Sequence, residues 1–179
     1  MKKTVLPVLV LFAVCLCVSG VLGLVNAATA EKIAGTEAAA LKEAAKTVLP
    51  AAVTLTPIEK DGITGYIGYD GAGNKVGYTF TNAARGYGGD VTAVVGMDLA
   101  GNITGISVTA PDETPGLGAN VQKDSFLSRF LGKPTGRFTV GENVEAVTSA
   151  TYSSRAVAEA VNLALDNFAA MRAEDALQG

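Results

Sequence analysis

Two short stretches hold side chains whose types and spacing could do chemistry. The first is Thr148 to Ser154, TSATYSS, seven small or hydroxylated residues that run straight into a helical pattern with no acidic residue in its first turn. Such a turn offers free backbone N–H groups and hydroxyls with nothing negative to neutralise them, and phosphate is the usual anion for that setting. The same composition also suits a Ser/Thr-rich helix cap that binds nothing, and the stretch alone leaves both readings open. The second is Asp112 to Gly118, DETPGLG, two carboxylates followed by a proline and two glycines. Proline makes that loop rigid and the glycines then make it permissive. Its carboxylates suit acid/base work, although solvated turn residues are the ordinary reading.

Composition removes many catalysts. The chain of 179 residues has no His and no Trp, which excludes His-based triads, His metal sites and histidine proton shuttles. Its two cysteines, Cys15 and Cys17, lie inside an apolar run, so the remainder has no disulfide, thiolate nucleophile or Cys-ligated metal. Neither a catalytic set nor a metal site is expected, and chemistry must come from hydroxyls, carboxylates, backbone or a cofactor. Lys2 and Lys3 account for two of the 14 basic residues, leaving 12 against 17 acidic ones. That balance gives no support for nucleic acid as a partner.

The elements that must position these stretches follow from periodicity. Val5 to Val25 carries no charge and as a helix spans about 30 Å, enough for a bilayer core. Residues 1–30 are therefore read as a transmembrane anchor in membrane lipid. Lys2 and Lys3 precede it and no basic residue follows until Lys32, so the N-terminus is expected in the cytoplasm and the rest outside, a single pass through the cell membrane. The rival is a cleaved signal peptide, for which Val25-Asn26-Ala27 and Ala28-Thr29-Ala30 are suitable sites, but the apolar run is longer than a signal core. Residues 31–50 read as a juxtamembrane stalk helix, with Ile33, Leu41, Ala44 and Val48 at helical spacing and Pro50 ending it.

Residues 51–179 read as one α+β domain with a small, mostly antiparallel sheet and packed helices. Short strands from Val53 to Thr81 are punctuated by Asp61-Gly62 and Asp70-Gly71, with Tyr66, Tyr69 and Tyr78 either on sheet faces, the ordinary reading, or lining a cofactor. Arg85 to Gly89, RGYGG, is a flexible loop whose glycines permit close backbone approach. Val91–Met97 and Ile103–Val108 form a hairpin across Asp98–Asn102. A short helical pattern covers Val121–Phe130 with Phe126 and Phe130 on one face, broken at Lys133-Pro134, and Phe138 and Val140 suggest a further strand. The last helix runs from about Ser153 to Met171 or beyond. Val157, Val161, Ala164, Phe168 and Met171 form its buried stripe, and Arg155, Glu159, Asn162 and Asp166 its wet face.

The stretch GYTFTNAARGYGGDVTAVVGMDLAGNITGISVTAPDETPGLGANV, followed by TSATYSSRAVAEAVN, resembles the FMN-binding domain of the G subunit of Rnf electron-transport complexes, a domain shared with the C subunit of the sodium-pumping NADH:quinone oxidoreductase. The layout is similar throughout: membrane helix, stalk, glycine loop, hairpin, ETPGLG loop and flavin motif. The resemblance is good from Gly77 to Asn167 and covers the rest in layout. It implies a flavinylation motif of the form Asp-x-x-Ser/Thr-Gly-Ala-Thr/Ser, whose last hydroxyl is joined to FMN through a phosphoester. Glu145 then takes the Asp position, Thr148 the Ser/Thr position, Ser149 the Gly position, Ala150 the Ala position, and Thr151 is the acceptor. Glu145 keeps the charge on a longer arm. Ser149 is the larger departure, because a positive φ there costs a residue with a side chain about 1–2 kcal/mol.

The resemblance further implies a protein that relays electrons among the membrane and peripheral subunits of a complex linking ferredoxin and NAD to ion translocation, an electron-transfer component of an oxidoreductase, not a complete catalyst. With no His to activate the Thr151 hydroxyl, attachment calls for an external FMN transferase, and the resemblance implies one that uses FAD and a divalent metal. Glu113, Thr114, Pro115, Gly116, Leu117 and Gly118 are expected to wall the flavin ring, with Leu117 packing on it and Glu113 turned away or bound to the chain. The alternatives are a stand-alone flavinylated surface protein that hands electrons to extracellular acceptors and a non-redox anchored scaffold.

Overall fold

The computed structural model describes residues 2–60, 62–110, 112–132, 134 and 136–178, with the side chains of 2–6, 31–34, 59 and 176–178 left aside. Asp61 of the first expected turn and Lys133 of the expected helix break lie outside the described residues, as does the side chain of Ile33. The chain divides into two compact units, Met1–Ala40 and Leu41–Gly179. The first is helical and belongs to α1 (Lys2–Val48). Within it Pro7–Ala30, 24 residues, is long and apolar enough to cross a membrane, with a mean hydropathy of 2.9 over its most apolar 18-residue window. Its large side chains, Val8 to Val25, are exposed, as suits a helix whose solvent is lipid. Pro7 falls within the second turn, because the helix begins earlier than the apolar run does.

The second unit opens with the last two turns of α1, which end before Pro50. Five strands follow: β1 (Thr54–Lys60), β2 (Ile63–Tyr69), β3 (Lys75–Arg85), β4 (Asp90–Asp98) and β5 (Ile103–Thr109). They form one antiparallel meander in the order β1-β2-β3-β4-β5. Pro57 lies in β1, an edge strand, where a missing N–H costs no ladder bond. The β2–β3 and β4–β5 connections use one device. Asp70 accepts from the N–H groups of Ala72 and Asn74, and Asp98 accepts from those of Ala100 and Asn102. Gly73 and Gly101 supply the positive φ that each turn needs. The Asn74 side chain and backbone donors hold the Asp70 carboxyl below its ordinary range.

One face of the sheet carries the end of α1. Ala45 and Val48 are buried there with Val94, beside Leu41, Ala44, Leu55 and Tyr66. The Val48 backbone comes so close that a Cβ at Gly96 would lie 2.2 Å from its carbonyl oxygen. The opposite face packs α3 (Thr151–Gln178), whose Val157, Val161, Ala164, Phe168 and Met171 are all buried as the helical spacing requires. Tyr78 is a core residue, stacked on Phe80 and edge-on to Phe168. Its hydroxyl donates to Asp175 near the end of α3, and Lys75 binds the same carboxylate.

Between β5 and α3 the chain forms two 3-10 turns, Gly118–Gln122 and Ser128–Phe130, around the four-residue α2 (Asp124–Leu127). Phe126 and Phe130 are buried with rings in edge contact, 5.4 Å between centroids. The strand suggested at Phe138 and Val140 is not formed. Val140 makes only an isolated bridge to Val144, and Phe138 pairs instead with a side chain. Asn162 accepts from the Phe138 N–H at 2.8 Å and donates to its carbonyl at 2.9 Å. Asn162 is therefore 8% exposed and not on the wet face of α3. Its amide presents one donor and one acceptor side by side and so replaces a neighbouring strand. Asn162→Ala is expected to lower unfolding free energy by about 1–3 kcal/mol by orphaning both groups, a shift checked by the urea midpoint. Glu159→Ala, on an exposed position, is expected to leave that midpoint unmoved.

Candidate functional site

The site forms where three segments remote in sequence meet around one carboxylate. Glu113 is 4% exposed. Its Oε1 accepts from the Tyr87 N–H at 2.8 Å and from the Ser153 hydroxyl at 2.7 Å. The glycine loop closes on this group without slack. A Cβ at Gly86 would lie 2.3 Å from Oε1 and one at Gly118 would lie 2.2 Å from Oε2, while one at Gly88 would lie 2.1 Å from the Asp112 carbonyl. The glycines of RGYGG thus serve close approach, and none of Gly86, Gly88 and Gly89 has positive φ. Glu113 Oε2 is buried without a hydrogen-bond partner.

Beside this knot α3 begins. The helix starts at Thr151, two residues earlier than the apolar pattern suggests, because Ala150 accepts its first bond from the Ser154 N–H at 2.9 Å. The N–H groups of Thr151, Tyr152 and Ser153 precede that bond, as in any first turn. Its first turn holds no acidic residue. Two of the hydroxyls are committed to the fold: Ser153 donates to Glu113, and Ser154 accepts from the Val147 N–H. Thr151 is exposed. Ser149 has φ 61°, the sole positive-φ residue other than glycine among the described residues. A side chain held there costs about 1–2 kcal/mol, and it turns the chain from the Val147 segment into the helix.

A cavity of about 420 Å³ opens between these segments. Its lining is Tyr87 from the glycine loop, Glu113, Thr114, Leu117 and Gly118 from the ETPGLG loop, and Ser149, Ala150, Thr151, Tyr152 and Ser153 from the start of α3. That volume lies within the range of small-molecule sites, about 300–1,000 Å³. The two sequence motifs therefore share one wall. Pro115 and Gly116 are exposed and outside the lining, with Gly116 at φ 78° turning the loop. Thr148 is exposed and also outside it. Glu145 points away, its carboxylate 3.8 Å from the Arg129 guanidinium, which also donates to the Glu145 carbonyl. Sequence reasoning gave no role to two of the lining residues, Tyr87 and Tyr152. Their signal was an aromatic side chain set between glycines in one case and directly after Thr151 in the other.

The arrangement can do two things chemically. One end offers unpaired N–H groups and the Thr151 hydroxyl to an anion. The other offers Leu117 and two tyrosine rings to a flat apolar body. A phosphate ester carrying an aromatic ring system fits both ends, and FMN has that composition.

Comparison with known proteins gives the family. Residues 86–166 match the family model described as an FMN-binding domain. The G subunit of the ion-translocating oxidoreductase complex of Methanosarcina acetivorans is 34% identical over 137 residues, covering 70% of this chain and 73% of the relative. The G subunit of the proton-translocating ferredoxin:NAD(+) oxidoreductase complex of Clostridium ljungdahlii is 37% identical over 101 residues, 52% of this chain and 55% of the relative. The crystal structure of the C subunit of the sodium-translocating NADH-quinone reductase of Parabacteroides distasonis aligns with a TM-score of 0.49 at 21% identity, covering 60% of this chain and 61% of that one. The chain belongs to the family of the G subunits of ion-translocating oxidoreductase complexes and carries an FMN-binding domain. It spans about half the length of the Clostridium relative and nearly three quarters of the Methanosarcina one.

Glu113→Ala is expected to lower unfolding free energy by about 2–3 kcal/mol, since the buried Ser153 hydroxyl and the Tyr87 N–H both lose their acceptor. Glu113→Gln retains one acceptor oxygen and is expected to recover at least half of that loss in urea melts. Equal midpoints for wild type and Glu113→Ala would show that the knot contributes nothing to the fold.

Proposed function

We propose that the chain is a membrane-anchored flavoprotein that carries FMN covalently on Thr151 and relays electrons within an Rnf-type ion-translocating ferredoxin:NAD oxidoreductase complex. The observation that carries the reading is Thr151 itself: an exposed hydroxyl at the first residue of α3, on the cavity lining, beside N–H groups with no intrahelical partner. The FMN-binding family and the names of the relatives support the redox role and the setting in a complex.

FMN bound at this site would supply reversible electron chemistry, while this chain's residues hold it. The N–H groups of Thr151 and Tyr152 would hold the phosphodiester, which carries one negative charge, and the α3 dipole favours an anion there. Glu113 keeps Ser153 and Tyr87 in place. Attachment is a transfer: Thr151 Oγ bonds to the FMN phosphorus of FAD, the pyrophosphate P–O bond breaks, and AMP leaves. The hydroxyl proton passes to a base of an FAD-dependent FMN transferase, because the chain has no His. The transferase also brings the divalent metal. The other partners are the membrane and peripheral subunits of the complex and the lipid around Pro7–Ala30. With Lys2 and Lys3 before that span, the N-terminus lies in the cytoplasm and the flavin domain outside.

The test is a denaturing gel and an intact mass of the full chain, produced with and without a competent transferase. The expected result is a fluorescent band and one FMN-sized increment in the wild type, both absent in Thr151→Ala. A dark, unmodified wild-type chain from cells with active transferase would contradict the proposal and favour a non-redox scaffold.

A further inference from the structure

The cavity mouth carries two aromatic side chains that the fold does not need. Tyr87 and Tyr152 are 75% and 66% exposed, whereas Tyr78 in the same domain is 1% exposed and core-packed. Their rings meet each other, with centroids 6.3 Å apart and planes tilted by 47°, and both line the cavity. Each is held by its backbone and not by its ring. The Tyr87 N–H is fixed to Glu113, and Tyr152 occupies the first turn of α3, one residue after Thr151. Large rings left in water forgo burial energy, and a pair of them at the lip of a ligand-sized cavity offers open π faces to a flat partner.

We infer that Tyr87 and Tyr152 are the face against which the isoalloxazine ring lies, an inference that rests on the FMN reading above. The ring then sits at the mouth, between the tyrosine pair and Leu117, and not deep within the Thr114–Gly118 loop. Leu117 is itself 46% exposed on the same rim, so one apolar lip has an aromatic side and an aliphatic side. The phosphate end and the ring end are thereby assigned to adjacent residues, Thr151 for attachment and Tyr152 for stacking. A ring held this way stays at the domain surface, within reach of a docked redox partner without intervening protein.

The test separates ring recognition from attachment by using riboflavin, which has the ring but no phosphate. Unmodified full-length chain, made without transferase, is titrated with riboflavin and its emission followed, since a phenol in contact with an excited flavin quenches it. Wild type is expected to quench. A Tyr87→Ala/Tyr152→Ala double variant is expected to bind about tenfold more weakly and to lose the quenching. The double Phe variant is expected to keep the affinity and lose most of the quenching, a split that a merely structural role would not produce. Both residues are exposed, so circular dichroism should be unchanged across the set. Equal affinity and quenching in wild type and double Ala variant would overturn the inference, as would no quenching by wild type up to the solubility limit of riboflavin. Attachment is read independently: a chain that carries the FMN mass increment yet shows no tyrosine dependence overturns the stacking face alone.

Discussion

The site depends on the hydrogen-bonded carboxylate of Glu113. It draws a donor from Tyr87, 26 residues before it, and another from Ser153, 40 residues after it. No strand ladder or helix ladder joins these three segments to one another. The sheet and α3 bring the glycine loop, the ETPGLG loop and the start of α3 near one another, and the carboxylate is the hydrogen-bonded link among the three. Burying a polar group is costly unless it is hydrogen-bonded, and the two donors on Oε1 offset part of that cost while Oε2 has no partner.

The knot also sorts the polar groups. Ser153 and Ser154 look equivalent to Thr151 in composition, yet they are bound to Glu113 and to the Val147 N–H and are buried. What remains for a ligand is the Thr151 hydroxyl, the N–H groups of the first turn and the strained Ser149. A hydroxyl-rich helix start thus resolves into two structural hydroxyls, Ser153 and Ser154, and the exposed residues Ser149, Thr151 and Tyr152 at the cavity. The strain at Ser149 is tolerated because its neighbours, Val147 and Ala150, are bonded to one another across it.

Much of this was legible in the sequence, for identifiable reasons. The meander shows because the Asp-x-x-Gly-Asn turns at 70–74 and 98–102 write their chemistry locally. The buried stripe of α3 shows because its period is that of a helix. What stayed hidden is nonlocal pairing. Asn162 is polar and falls on a polar stripe, and only the position of Phe138 reveals that its amide stands in for a strand. The partner of Glu113 could not be read from ETPGLG, since nothing local points to Tyr87 or Ser153. Glu145 and Thr148 belong to the motif in sequence, while the geometry gives Glu145 to Arg129 and leaves Thr148 outside the lining. The family itself was legible because the two motifs that share the cavity wall are both short and contiguous.

The central claim is a phosphodiester between FMN and Thr151 at the start of α3. Phosphorus-31 NMR of the purified holoprotein tests it most directly, because a diester has no second ionisation whereas a phosphate monoester titrates near pH 6. A diester on Thr151 is expected to give a single phosphorus resonance whose chemical shift does not move between about pH 5 and pH 8. A resonance that follows a titration centred near pH 6, the behaviour of FMN bound without a covalent link, would contradict it.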